Sequence, residues 1–222
     1  HLVYFPDVGS NVEIVADLIH KLTGKSFNPK ERNVIKDREI RSSLDWIFQH
    51  FHILTKKDVK AKMTPFQFYD YAVELKQKSG LQTASIDSWK DLSHPYHEFG
   101  GYAQYLEVVL PYRNQIAEDN ELHLHTIIHP KLTEKINGKR SVPSPYDLKG
   151  GSEWFNSGKC MITVHREDLN YNQAIINFNK IKPRSAGQIG QLILWFDKEK
   201  FLYYEQENPA PNVYNKIYAK EK

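Results

Sequence analysis

Cysteine is almost missing from this chain of 222 residues. Cys160 is the only one, which excludes an internal disulfide and a cysteine-rich zinc cluster and suits a reducing compartment. Long apolar runs are missing too. The longest, such as Leu192 to Phe196, fall far short of the roughly 20 residues that a membrane-spanning helix needs, and mean hydropathy is −0.61, so no span or anchor helix is expected. There is no large charge of one sign either: 30 Lys and Arg stand against 27 Asp and Glu, giving +3 with His neutral. That mild surplus permits a polyanionic partner without identifying one. Nor does the pattern Gly-x-x-x-x-Gly-Lys-Ser/Thr, the loop that cradles nucleotide phosphates, occur anywhere. Gly24-Lys25-Ser26 mimics its end, but it follows a helical stretch and has no glycine at the required earlier place. The chain begins at His1 with no Met and no signal-like segment behind it, so upstream sequence is expected.

What is present is globular. Hydrophobic residues make up 40% and aromatic residues 13% of the chain, enough for one real core in a single domain. Leu2 to Phe5 reads as a strand stopped by Pro6-Asp7-Val8-Gly9. Ser10 or Asn11 then suits the cap of a helix carrying Val12, Val15, Ile19 and Leu22 on one face and ending at Gly24. After a polar loop, Asp37 is expected to cap a helix with Ile40, Leu44, Ile47 and Phe48 at helical spacing. Phe51 to Leu54 reads as a strand. Thr64-Pro65 opens a helix that closes at Gly80, and Thr83 to Ile86 is a strand ending in Asp87 before the polar stretch Ser88 to Gly101. The helix suggested by Tyr102, Leu106, Val109, Leu110 and Ile116 contains Pro111, which should kink or break it.

Leu122 to Ile128 is a further strand, ending at His129-Pro130. Lys131 to Gly151 is a long loop-like stretch rich in Lys, Gly and Pro. Cys160–Val164, Ala174–Phe178, Gln191–Phe196 and Phe201–Tyr204 read as four β runs, the last two as a hairpin around residues 197–200. The polar segment 206–222 reads as a tail, leaving 1–205 as the folded core.

Strands alternating with helices over the first two thirds imply a mostly parallel α/β sheet with helices on both faces, followed by an antiparallel hairpin. Ligands in such sheets bind beyond the C-terminal strand ends. Asp7, Asp87 and His129, each just after a strand, should therefore converge on one crevice. An Asp there suits a general base or a cation's water shell, although an Asp before a helix also serves as a plain cap. His123, His125 and His129 share one strand face at even spacing, which admits a metal site as well as packed or solvated imidazoles; His94 and His97 carry the same ordinary reading.

Together these segments resemble the RecA-like P-loop NTPase core of DnaB-like replicative helicases, and the Twinkle-like and phage primase-helicase branch more than DnaB itself. Tyr4-Phe5-Pro6-Asp7-Val8 falls where that family has a strand followed by its catalytic glutamate, so the resemblance implies that Asp7 orients and deprotonates the attacking water; Asp is one methylene shorter. Ala84-Ser85-Ile86-Asp87-Ser88-Trp89 resembles the Walker B strand, implying that Asp87 holds Mg²⁺ through water. Thr126-Ile127-Ile128-His129-Pro130-Lys131 resembles the strand that ends in a polar sensor, His129. Asn179 to Gly190 resembles the Lys-x-Arg element whose cations reach a neighbouring subunit's γ-phosphate. Here Lys180 matches, Lys182 stands where the family has Arg, and Arg184 follows two residues on, so either of the latter two is the finger.

Ser141 to Ser152 and Cys160 to Arg166 resemble the helicase loop and strand near the single-stranded DNA channel. Lys135, Lys139, Arg140 and Lys149, with amides from neighbouring glycines, would contact DNA phosphates; a solvated basic loop is the alternative. Ser93 to Gly101 would be a second DNA loop. The family's phosphate cradle lies N-terminal to the position of Leu2. The resemblance implies an ATP-dependent, Mg²⁺-using DNA helicase, assembled as a ring, as a hexamer in this family. It further implies single-stranded DNA and a primase as partners, and a cytoplasmic location in a bacterial or phage-infected cell. A noncatalytic nucleic-acid-binding or oligomerisation module with the same fold is the alternative.

Overall fold

The computed structural model describes residues 1–30, 33–131, 135–136, 139–167, 172–197 and 202–205. The 206–222 tail and the hairpin turn at 198–200 lie outside the described residues.

Alternating burial along the first strands sets up the main sheet. β1 (Leu2–Phe5), β2 (His52–Thr55), β3 (Thr83–Asp87) and β4 (His123–Ile127) form a parallel sheet in the order β2-β1-β3-β4. Val3 lies beside Ile53 and Ser85, and Ser85 beside His125. Because side chains alternate along a strand, Leu2, Tyr4, Leu54, Ala84, Ile86 and Leu124 share one face. That face is covered by α3 (Pro65–Ser79), α4 (Tyr102–Asp119) and α5 (Gly151–Ser157), which bury Phe68, Tyr69, Tyr105, Leu106, Val109 and Trp154 against it. On the other face α1 (Val12–Thr23) and α2 (Asp37–His50) pack Val15, Ile19 and Ile47 against Ile53. Helices thus stand on both faces, and the chain has a RecA-like α/β core.

The caps are local chemistry. Thr64 Oγ1 accepts from Gln67 N at 3.2 Å while Gln67 Oε1 accepts from Thr64 N at 2.9 Å, a reciprocal box that starts α3. Gly80 and Gly24 take left-handed conformations that end α3 and α1. Asn11 stands at the start of α1 without a side-chain bond, and Ser10 Oγ takes Val12 N at 3.3 Å. Asp37 is the first residue of α2 and not its cap. Lys36 holds that position, with its N–H donating to Glu39 Oε2 at 3.0 Å.

Two further expectations are corrected. Pro111 neither breaks nor divides α4, which runs unbroken from Tyr102 to Asp119. The hydrogen bond that Pro111 cannot make would reach Glu107, and both residues are exposed, so water serves the carbonyl while buried Tyr105, Leu106, Val109 and Leu110 hold the helix in place. The C-terminal strands also amount to more than one hairpin. β7 (Cys160–His165), β8 (Gln173–Ile181), β9 (Gly190–Asp197) and β10 (Leu202–Tyr204) form their own antiparallel sheet, ordered β10-β9-β8-β7. Between the sheets lies a two-residue ribbon, β5 (Lys135–Ile136) paired with β6 (Lys139–Arg140). No helix among the described residues is long and apolar enough to cross a membrane.

Candidate functional site

Parallel pairing brings three strand ends to the same edge of the sheet. Ile86 is in register with Tyr4 and Thr126, and Asp87 with Ile127, so the chain leaves β1 toward Asp7 and β4 toward His129 on either side of Asp87. The turn carrying Asp7 is fixed by Val8 N donating to Phe5 O at 3.3 Å and Lys56 N donating to Val8 O at 2.8 Å. Asp7 and His129 are exposed; Asp87 is half-buried. Burial pushes the Asp87 carboxyl above its ordinary value, the charges of Asp7 and Asp91 add to this, and His129 opposes it. The three residues expected to converge therefore act on one another across one hollow.

Asp91, which sequence reasoning missed, completes the acidic group. It follows Asp87 by four residues in a 3₁₀ turn (Trp89–Asp91), where buried Ser88 donates its hydroxyl to Asp91 Oδ2 at 2.5 Å and Lys90 pairs with Oδ1 at 3.0 Å. Partial burial works against ionisation of Asp91, but the Ser88 hydroxyl and Lys90 outweigh it and hold the carboxyl below its usual range. Nothing in the spacing alone separates such a residue from an ordinary solvated acid.

The donor chemistry of this hollow fits a hydrated Mg²⁺. Clustered carboxylates, one raised by burial and like charge, are relieved by a hard divalent cation held through water. Among the described residues no group of three or more His, Cys, Asp or Glu is placed to hold a metal directly. His123 and His125 stack with ring centroids 4.3 Å apart on an exposed strand face, and His125 Nδ1 lies 3.1 Å from Ser85 Oγ. Gly24-Lys25-Ser26 is structural. Gly24 ends α1, Lys25 pairs with Glu39, and Ser26 bridges to Val34.

The three expected cations separate. Lys182 and Arg184 are exposed at the exit of β8 and in the 3₁₀ turn before β9. Lys180 is only 8% exposed. Its ammonium donates to the carbonyl of Phe155 and to that of Asn156 at 3.2 Å, and lies 4.9 Å from the Phe155 ring centroid. Within this chain it therefore satisfies the unpaired C-terminal carbonyls of α5, and the Lys-x-Lys spacing does not carry that information. Burial, then Lys182 and Lys159, hold its ammonium below the ordinary value.

The expected DNA loops meet. Lys149 Nζ sits 4.3 Å from the Tyr102 ring centroid and 5.8 Å from that of Tyr96, joining the loop before α5 to the Ser93–Gly101 loop. His94 anchors the latter: Nε2 is 2.7 Å from Trp89 O and Nδ1 3.1 Å from the Tyr105 hydroxyl. Arg140 is exposed at the end of β6. The side chains of Lys135 and Lys139 lie outside the described residues.

No protein-family model matches this sequence, and no curated protein matches it. Solved structures match its fold. The ATPase domain of one DnaB-like replicative helicase superposes with a TM-score of 0.70 at 15% identity, over 93% of this chain and 74% of that one. A second DnaB-like replicative helicase, from a structure describing its interactions with primase, gives 0.67 at 14% identity, over 91% of this chain and 50% of that one. The RadB recombinase gives 0.52 at 11%, over 90% and 76%. The fold is that of the DnaB-like helicase ATPase domains within the RecA-like class.

Proposed function

We propose that this chain is the motor core of a ring-forming, ATP-dependent DNA helicase that couples NTP hydrolysis to translocation on single-stranded DNA. One observation carries the proposal: Asp7, Asp87 and His129 face one hollow at the C-terminal edge of adjacent parallel strands, where a RecA-like sheet offers its ligand site. In this reading Asp7 accepts the proton of the attacking water. Asp87, with Asp91 beside it, holds the water shell of Mg²⁺, whose charge offsets that developing on the phosphates. His129 hydrogen-bonds on the γ-phosphate side and relays its loss to the chain beyond β4. Lys182 and Arg184, exposed and unshielded by the chain's own helices, reach a neighbouring subunit's nucleotide, where fixed positive charge stabilises phosphoryl transfer; Lys180 braces the strand that presents them. Lys135, Lys139, Arg140 and Lys149 contact DNA phosphates. The assembly is a hexamer, with primase as a further partner and the cytoplasm as its location.

The test is ATP hydrolysis stimulated by single-stranded DNA in the native-length protein. Asp87→Ala abolishes it, and so does Lys182→Ala combined with Arg184→Ala. Mixing the two inactive forms restores part of the activity, because some interfaces again pair an intact Asp87 with intact cations. Hydrolysis indifferent to Asp87→Ala contradicts the assignment, and no recovery on mixing contradicts the shared site. A second reading, a noncatalytic nucleic-acid-binding or oligomerisation module, is favoured by the missing phosphate-cradle motif. It predicts DNA binding or self-association without any turnover.

A further inference from the structure

The Ser93–Gly101 loop contains two aromatic residues that the fold treats in opposite ways. Phe99 is turned into the protein, stacked on Phe66 with centroids 6.1 Å apart and edge-on to Tyr105 at 5.3 Å. Tyr96, at the start of the same 3₁₀ turn (Tyr96–Phe99), remains 45% exposed. The loop carrying it is nevertheless rigidly tied. Ser93 N donates to Met63 O at 2.9 Å, His94 joins Trp89 to Tyr105, and Gly101 N closes back onto Tyr96 O at 3.0 Å. Gly100, at φ 84°, makes that closure possible. The Tyr96 ring is held edge-on to Tyr102, centroids 6.3 Å apart and planes at 78°, and the Lys149 ammonium lies against both rings.

An exposed flat ring on a fixed loop, with a cation beside it, is the pairing that grips single-stranded nucleic acid. The ring takes a base face, which every base has, and the cation takes the adjoining phosphate. Tyr96 contributes little to the core, so its exposure is not explained by packing. Glu98, in the same turn, points to solvent and lies 3.8 Å from His97, which leaves the Tyr96–Lys149 side cationic. We infer that Tyr96 is a nucleobase-stacking platform and Lys149 its phosphate contact, so that this chain holds single-stranded DNA by its bases as well as its backbone. The inference rests on the DNA reading above and adds to it a ligand chemistry, the base π-face, that a basic loop alone does not supply.

The experiment measures binding of the chain to fluorescent oligo-dT and to an abasic oligomer of the same length, across a salt series. The wild type should prefer oligo-dT. Tyr96→Leu should weaken oligo-dT binding by about 5- to 150-fold, the range for losing one stacked base, with the abasic oligomer unaffected and the salt dependence unchanged. Tyr96→Phe, which keeps the ring, should bind as the wild type does. Lys149→Gln should weaken both oligomers and lower the slope of log affinity against log salt by about 0.7. Equal affinity of the wild type for both oligomers, or no effect of Tyr96→Leu, overturns the stacking platform while leaving the DNA reading standing. Binding to neither oligomer overturns both.

Discussion

His94 Nε2 lies 2.7 Å from the carbonyl of Trp89, and on its other side Nδ1 faces the Tyr105 hydroxyl at 3.1 Å. A carbonyl only accepts, so Nε2 carries the proton and Nδ1 is free to accept from the tyrosine. One neutral imidazole thus fastens the chain just beyond Asp87 to α4. Burial pushes the His94 pKa below its ordinary 6.5, and Lys149 pushes it the same way against the Trp89 carbonyl. A histidine whose folded pKa is depressed gives its full stabilisation above the unfolded value and loses it as pH falls through the folded one. Melting temperature should therefore decline from pH 7 downward more steeply in the wild type than in His94→Gln. The variant should also cost roughly 1–3 kcal/mol at neutral pH for its lost bonds. Parallel pH profiles in the two proteins would show that His94 does not form this link.

Lys180 is expected to matter to folding where its neighbours do not. Replacing it with Met keeps a stem over Phe155 but leaves the carbonyls of Phe155 and Asn156 without their donor, at a cost of about 1–3 kcal/mol in a denaturant titration. Lys182→Met and Arg184→Met, on exposed positions, should change stability by less than about 0.5 kcal/mol. Equal destabilisation by all three would contradict the division of roles.

Gly151 opens α5 with its Cα against the preceding turn. A Cβ there would stand 2.7 Å from Tyr146 Cα and 2.8 Å from Pro145 O, both backbone atoms, so the turn itself must shift. Gly151→Ala should lower stability by roughly 1–3 kcal/mol, whereas Gly9→Ala, with nothing within 4 Å, should be close to neutral. Thermal melts of the two variants check this directly.

These positions mark how far the sequence alone carries. The α3 boundaries were legible because Thr64, Pro65, Gln67 and Gly80 act locally, within hydrogen-bond reach of their own helix. The meeting of Asp7, Asp87 and His129 was legible because parallel βα alternation leaves the strand ends on one edge. The strength of Pro111's effect was not legible, since packing by α4's buried face outweighs one solvent-side bond. The separate C-terminal sheet was hidden because alternation in Cys160–Val164 or Gln191–Phe196 identifies strands without saying which strands they join. The burial of Lys180 depends on where α5 ends, residues distant in sequence, and Gly150-Gly151, read as phosphate-contacting amides, answer at Gly151 to a steric need.

The convergence on Asp87 is tested most directly by following its side-chain carboxyl through a pH titration by ¹³C NMR, in the wild type and two variants. The wild-type midpoint should lie above the ordinary 3.8, because burial and the charges of Asp7 and Asp91 disfavour its ionised form. Asp7→Asn removes a like charge and should move the midpoint down; His129→Gln removes a favourable cation and should move it up. Opposite shifts from residues on two different strands place all three side chains around one hollow. A midpoint at the ordinary value that neither substitution moves would mean that the groups do not face one another, and the motor reading would fall with it.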